Sequence, residues 1–331
     1  MKNAIAILAI SLLSLIVTAC SGPIQKFESV KTLSDLQKWF SKELHEHFTI
    51  SQLKNMKELD LISKGITSLP PAFGLLKNLE KLDLSYNKLS TLPPAIGQLK
   101  KLKWLNLRAN LLEELPAIEL VKNLEELDLS RNMISTLPPA IGQLKKLKWL
   151  NLKANLLEEL PEAIGDLENL THLNLTSHPR GKFQSEYNWG YNLSDGPASD
   201  RRITNINKKD LTPKGKSRFN YRIARRNDNL WRYLQYYKSR NRLTRLPKSI
   251  GKLKKLKILV LNENELRSLP ESFGQLIHLR WLSLYHNRLS ALPKSIGRLN
   301  DLKSLDLRQN KLSLKEKARL KRLLPNCDIS Y

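Results

Sequence analysis

The chain has 331 residues, 41% of them hydrophobic and 26% charged, with two cysteines and a formal net charge of +25. That composition supplies ample material for a core, excludes a disordered chain, and leaves room for at most one disulfide. The charge is lopsided: Cys20 to Leu175 carry 20 Lys/Arg against 19 Asp/Glu, whereas Thr176 to Tyr331 carry 35 against 12.

In chain order, Lys2 supplies one positive charge and Ala4 to Val17 form an uncharged apolar run. A membrane-spanning helix needs about 20 residues, so this shorter run has the size of a signal-peptide core. It ends in Val17-Thr18-Ala19-Cys20, which resembles the lipobox of bacterial lipoproteins. The resemblance implies that residues 1–19 are removed and that the Cys20 thiol is acylated, with its amine as the new N-terminus. It implies export and anchoring by lipid, at the outer membrane or cell surface rather than the inner membrane. The alternative is an ordinary signal peptide cleaved after Ala19, with a chance cysteine following. Residues 20–31 read as a tether, and Cys327, left without a partner, as a small buried hydrophobe.

Thr32-Leu33-Ser34-Asp35 opens an amphipathic helix to about His47, with Leu36, Trp39, Phe40 and Leu44 on one face. Residues 32–50 are thus an N-terminal cap. His45 and His47 fall on different sides of such a helix and are poor co-ligands for a metal.

From Leu53 the sequence becomes periodic. Leucines fall at 76, 79, 82 and 84, followed by Asn87, Leu89, Leu92, Pro93, Ile96 and Gly97. The frame restarts at Leu99, Val121, Leu144 and Leu167, and again at Leu253, Leu276 and Leu299, in steps of 23 residues with one of 22. A weaker copy starts at Leu53, with Lys64 where the asparagine belongs. A degenerate one starts at Leu230 and regains the frame at Asn241, Leu243, Leu246 and Pro247. This gives about ten units, six in 51–177 and four in 230–312. Ser90–Pro116 and Ser135–Pro161 differ only at Arg108 against Lys153, the mark of a duplicated two-repeat block.

The pattern L-x-x-L-x-L-x-x-N-x-L-x-x-L-P-x-x-I-G resembles the leucine-rich-repeat family, in the 23-residue class of Ras-associated and many bacterial repeats. The resemblance implies an α/β solenoid, a horseshoe with a curved parallel sheet on its concave face and helical caps at both ends. The local physics agrees. Leu82 and Leu84 alternate on a short strand, so both point inward. Pro93-Pro94 ends the extended segment and starts a helical turn, and Gly97 is expected to let the chain bend back. One unit cannot bury its leucines alone, so units stack. Asn87, Asn110, Asn132, Asn155, Asn241, Asn264, Asn287 and Asn310 are expected to satisfy backbone groups at each corner. Ser313 to Leu324 reads as a helix stopped by Pro325, followed by a short strand near Asp328 to Tyr331, so 313–331 is the C-terminal cap.

Between His178 and Asn229 the frame disappears. Tyr187, Trp189 and Tyr191 appear there with basic pairs at Arg201-Arg202, Lys208-Lys209 and Arg225-Arg226. This segment is an insertion or decayed repeats. It either overhangs the concave face as part of a ligand site or is a solvated excursion.

The strand columns that face inward on the horseshoe carry Trp104, Trp149 and Trp281, then Arg108, Lys153 and Tyr285. Trp, Tyr and Arg dominate binding surfaces, so these six residues are the candidate partner site; the alternative is that the indoles only cover the sheet. Catalysis lacks support: there is no phosphate loop, no nucleophile arrangement and no metal-ligand spacing, and no cofactor is implied. The function that follows is recognition of a protein or peptide on the concave face, as an adhesin, receptor-like or host-interaction factor, by a monomer. The second reading is electrostatic capture of acidic envelope lipid or glycan by the basic half, through Arg201, Arg202, Lys208, Lys209, Arg225, Arg226, Lys254 and Lys255. The export signal argues against nucleic acid.

Overall fold

The computed structural model describes residues 29–115, 118–177 and 240–331. Ten short parallel strands form one sheet in strict chain order. They are β1 (Glu58–Asp60), β2 (Lys81–Asp83), β3 (Trp104–Asn106), β4 (Glu126–Asp128), β5 (Trp149–Asn151), β6 (His172–Asn174), β7 (Ile258–Val260), β8 (Trp281–Ser283), β9 (Ser304–Asp306) and β10 (Asp328–Ser330). The middle residue of every strand from β1 to β9 is a buried leucine, from Leu59 to Leu305. Alternation explains this: with a period of two, the flanking residues must face the other way, onto the concave surface.

Across the core from the sheet, most repeats make one 3-10 turn that starts after a proline, as in Pro94–Gln98 and Pro139–Gln143. The proline ends the extended segment and fixes the backbone for the turn. The glycine in this turn has a different role from the expected bend. Gly97 has ordinary backbone angles, but a Cβ there would lie 2.3 Å from the Leu120 Cβ of the next repeat. Gly165 and Gly251 are equally pressed, against the backbone oxygens of Ser249 and Ser272 at 2.3 Å. These glycines let neighbouring turns touch.

Both ends of the core are covered. Helix α1 (Leu33–Leu44) starts at a capping box between Thr32 and Asp35 and buries Leu36, Trp39, Phe40 and Leu44. It ends earlier than the sequence suggests, because His45 turns left-handed at φ 56°. A second helix, α2 (Ile50–Asn55), is capped by Thr49 and was hidden in the sequence by the onset of the leucine frame. Edge-to-face packing of Phe40 on Phe48 and of Trp39 on Phe73 joins α1 to the first repeat. At the other end α3 (Leu314–Leu323), capped by Ser313, buries Leu320, and β10 closes the sheet beside β9.

The corner after each strand repeats one device. The residue before the asparagine takes φ between 51° and 61° in Tyr86, Ala109, Arg131, Ala154, Glu263, His286 and Gln309, as does Ser63 at the same place in the first repeat. The asparagine side chain then enters the core. Asn155 Nδ2 donates to Leu129 O and Leu152 O, while its Oδ1 accepts from Ile134 N. Lys64 replaces the asparagine in the first repeat and pairs instead with Glu46 of the cap.

This device corrects the repeat count. Asn241 Nδ2 donates to Leu152 O and Leu175 O, and its Oδ1 accepts from Leu157 N at 3.0 Å. Those are the bonds of Asn155 moved by one repeat, so Asn241 completes the unit that starts at Leu167. The sheet agrees: β6 pairs directly with β7, His172 opposite Ile258. No separate unit starting at Leu230 stands between them, and β1 to β9 are nine repeats. Residues 178–240 are therefore an excursion within one repeat. It leaves after Ser177, whose N–H still donates to Asn262 O, and returns at Asn241.

Deleting 178–240 so that Asn241 follows Ser177 should preserve the circular dichroism spectrum and a cooperative melt within a few degrees of the parent. Ser177 would take the left-handed turn that Ser63 already adopts. Loss of folding by that deletion would refute the single-repeat assignment. Asn241→Ala should cost about 3 kcal/mol in urea unfolding, since it orphans buried backbone groups of two repeats.

The concave sheet face as candidate functional site

Three side-chain columns cross the concave face. The second is a self-satisfied polar ladder. Asp83, Asn106, Asp128, Asn151 and Asn174 each accept the N–H two residues ahead through Oδ1. Asn106 donates sideways to Asp83 at 3.0 Å, and Asn151 to Asp128 at 3.2 Å. Such turns hold the strand ends in place and leave the sheet's own polar groups satisfied.

The first column carries the tryptophans. Register places Trp104 opposite Glu126 and Glu126 opposite Trp149. Both indoles are half-buried, and Trp281 on β8 is 38% exposed. Glu126 is held between the two indoles, and burial pushes its carboxyl above the usual glutamate range. The neighbouring Glu125 pushes the same way, while Lys148, Lys81 and a hydrogen bond from Trp104 oppose it.

The third column brings cations to Asp128 of the second column. Burial pulls the Lys153 amine down, and the nearby Arg131 and Arg108 pull in the same direction; Asp128 opposes them. Burial raises the Asp128 carboxyl, against hydrogen bonds from Ser130 and the charge of Arg108. The Arg108 guanidinium also lies 5.6 Å from the Tyr86 ring, and Arg308 stands the same distance from Tyr285. The centre of the face, over β3 to β5, is thus two indoles, two reluctant carboxylates and three crowded cations. Partly desolvated charges of this kind interact strongly with whatever covers them.

The fold brings Trp104, Arg108, Trp149 and Lys153 together at this centre, with Trp281 and Tyr285 at its C-terminal side. Arg131 belongs to the same cluster, and sequence columns missed it because it sits one place beyond the third column, at the left-handed corner. Lys254 and Lys255 lie elsewhere, on the turn before β7, bonded to Gln275 and Asn169. Cys20, Arg201, Arg202, Lys208, Lys209, Arg225 and Arg226 lie outside the described residues, as do Tyr187, Trp189 and Tyr191. Cys327 is a half-buried free thiol pushed up to about 11 by burial and by Asp328. Among the described residues no cluster of His, Cys, Asp and Glu could hold a metal ion.

The raised Glu126 carboxyl gives a pH signature. A folded-state pKa above the unfolded one means that stability is fully present below the unfolded value and is lost as pH rises through the folded one. Glu126→Gln should therefore melt higher than the parent at pH 7, with the gap shrinking toward zero below pH 4. A gap independent of pH would show that the carboxylate is not desolvated.

Comparison with known proteins agrees with this architecture. The family pattern described as "leucine-rich repeat region" matches residues 11–132, and "leucine rich repeat" matches 122–178 and 239–289. Together they span about two thirds of the chain, and the second breaks at the excursion found in the fold. No curated protein matches. Among solved structures, a Leptospira interrogans leucine-rich-repeat protein is 28% identical over 85% of this chain and 91% of its own, with a TM-score of 0.32. A chain of an octameric complex of latrophilin 3, Unc5D and the leucine-rich-repeat protein FLRT2 is 20% identical over 83% of this chain and 69% of its own, with a TM-score of 0.58. A plant peptide hormone receptor, RGFR1 in complex with RGF2, is 23% identical over 77% of this chain and 36% of its own, with a TM-score of 0.46. With nine leucine-lined repeats on one parallel sheet and both family patterns laid along them, the chain is a leucine-rich-repeat protein.

Proposed function

We propose that this protein is an exported, lipid-anchored binding protein that takes a protein or peptide partner on the concave face of its sheet. The observation that carries the reading is the register Trp104–Glu126–Trp149, two indoles flanking a carboxylate whose ionised form is disfavoured by burial. The face's backbone needs are met by the Asx ladder, so these side chains are not required to satisfy the sheet. A partner with apolar groups on either side of a cation or amide donor fits this arrangement. It would relieve the strained charge of Glu126 and cover the indoles, the usual centre of a binding hot spot. Anchoring rests on the lipobox-like Val17-Thr18-Ala19-Cys20 and would present the solenoid at a bacterial surface.

Two measurements test this. Immobilised protein should capture the same envelope or host-surface proteins at low and at high salt, and Trp104→Ala with Trp149→Ala should weaken that capture by about 2 kcal/mol. Melting should change little, whereas Leu105→Ala, which opens the core, should cost about 2–5 kcal/mol. Normal capture by the double variant with a large loss of melting temperature would make the indoles structural cover. For the anchor, radiolabelled palmitate should enter the parent and not Cys20→Ser; equal labelling of both would exclude lipidation.

A further inference from the structure

The residues just before the strands form one continuous backbone ladder. Lys103 N–H donates to Glu80 O, Glu125 to Lys103, Lys148 to Glu125, Thr171 to Lys148, Lys257 to Thr171, Arg280 to Lys257 and Lys303 to Arg280. Each rung is about 4.8 Å from the next. In the first half the signs alternate, and the side chains pair: Lys103 with Glu80 at 2.9 Å, Lys148 with Glu125 at 2.6 Å.

After Thr171 the alternation stops. Lys257, Arg280 and Lys303 occupy consecutive rungs, all exposed, and none forms an ion pair among the described residues. Like charges directly opposite in a sheet are destabilising, so this strip works against the fold that carries it. It is bordered by apolar surface: Trp281 follows Arg280, half-buried Ile258 follows Lys257, and Ile277 on the preceding turn is 49% exposed.

The spacing discriminates among acidic proteins. An extended peptide shows one face every second residue, about 6.7 Å, and falls out of step by nearly 2 Å per rung. A helix laid across the strands shows one face once per turn, about 5.4 Å. Over three rungs the helix drifts by only about 1.2 Å, within the reach of lysine and arginine side chains.

We propose that Lys257, Arg280, Lys303 and Trp281 dock an acidic amphipathic helix of a partner protein. The helix lies across β7 to β9, with carboxylates on successive turns against the cations and apolar residues toward Trp281. The assignment rests on the reading that this protein takes a protein partner, and names the element engaged at the basic end.

The test uses the full chain and a fluorescein-labelled helical peptide with glutamates at i, i+4 and i+7 and leucines beside them. Its control contains the same residues shuffled, so that the glutamates point all round. The ordered peptide should bind at least tenfold tighter than the shuffled one. Arg280→Glu should abolish that preference while raising the melting temperature, because it restores alternating signs along the ladder. Lys257→Gln with Lys303→Gln should also abolish it, and Trp281→Ala should weaken the ordered peptide alone. Equal binding of the two peptides would overturn the proposal, as would stronger binding of heparin or acidic vesicles, since each marks a field that takes any polyanion. Trp104→Ala with Trp149→Ala should leave peptide binding intact. Loss of the peptide there, with Arg280→Glu unaffected, would overturn the docking site while leaving the concave-face reading standing.

Discussion

The whole solenoid depends on closing each turn without leaving polar backbone groups stranded in a leucine core. One buried asparagine does this for two repeats at a time. Asn110 donates to Leu84 O in the repeat before it and to Leu107 O in its own, and accepts from Leu89 N. A buried amide left without such partners costs about 1–3 kcal/mol. The same asparagine requires a left-handed residue before it, and that residue's N–H continues the sheet ladder: Ala109 N donates to Ser130 O. Core burial, corner geometry and strand pairing are therefore one coupled arrangement. It accepts a 63-residue excursion between Ser177 and Asn241 because both sides of the corner are still supplied. Its position in space is fixed by these bonds, whatever separates the two residues in sequence.

That coupling explains what the sequence could reveal. The period of 23, the alternating leucines and the proline-led turns are local patterns, and each appears in the fold where the sequence puts it. The broken repeat is a non-local fact. Its first half runs from Leu167 to Ser177 and has His178 where an asparagine belongs. Its second half runs from Asn241, preceded by Tyr233, Tyr236 and Lys238 in place of leucines. Two half-units that complement each other were the signal, and counting restarts of the leucine frame hides it. Gly97 shows a second limit: sequence shows that the position wants glycine, but only packing shows that the need is space rather than backbone freedom.

The site was legible to the same degree. Strand register alone sets the Trp104–Glu126–Trp149 order. The environment of those side chains was not legible, because desolvation depends on what lies over them. Arg131 reaches the cluster from a corner rather than from a strand. The basic half presents the reverse case. Composition exposes its charge, but only the ladder shows that Lys257, Arg280 and Lys303 are rungs of one strip, while Lys254 and Lys255 are tied down elsewhere.

Curvature joins these features. Hydrogen bonding fixes the strand spacing on the concave side at about 4.8 Å. The bend of the solenoid is then set by how far apart the outer turns stand. Gly165 and Gly251 let those turns approach to backbone contact, and Gly97 leaves room for the Leu120 side chain, which limits how far apart the outer turns stand. The regular spacing of the rungs makes the charge pattern along the ladder consequential. Where signs alternate, the side chains pair with one another; where they do not, at β7 to β9, the cations stand exposed without an ion pair among the described residues. The excursion leaves and rejoins the solenoid at the unit of β6, the boundary between those two regimes.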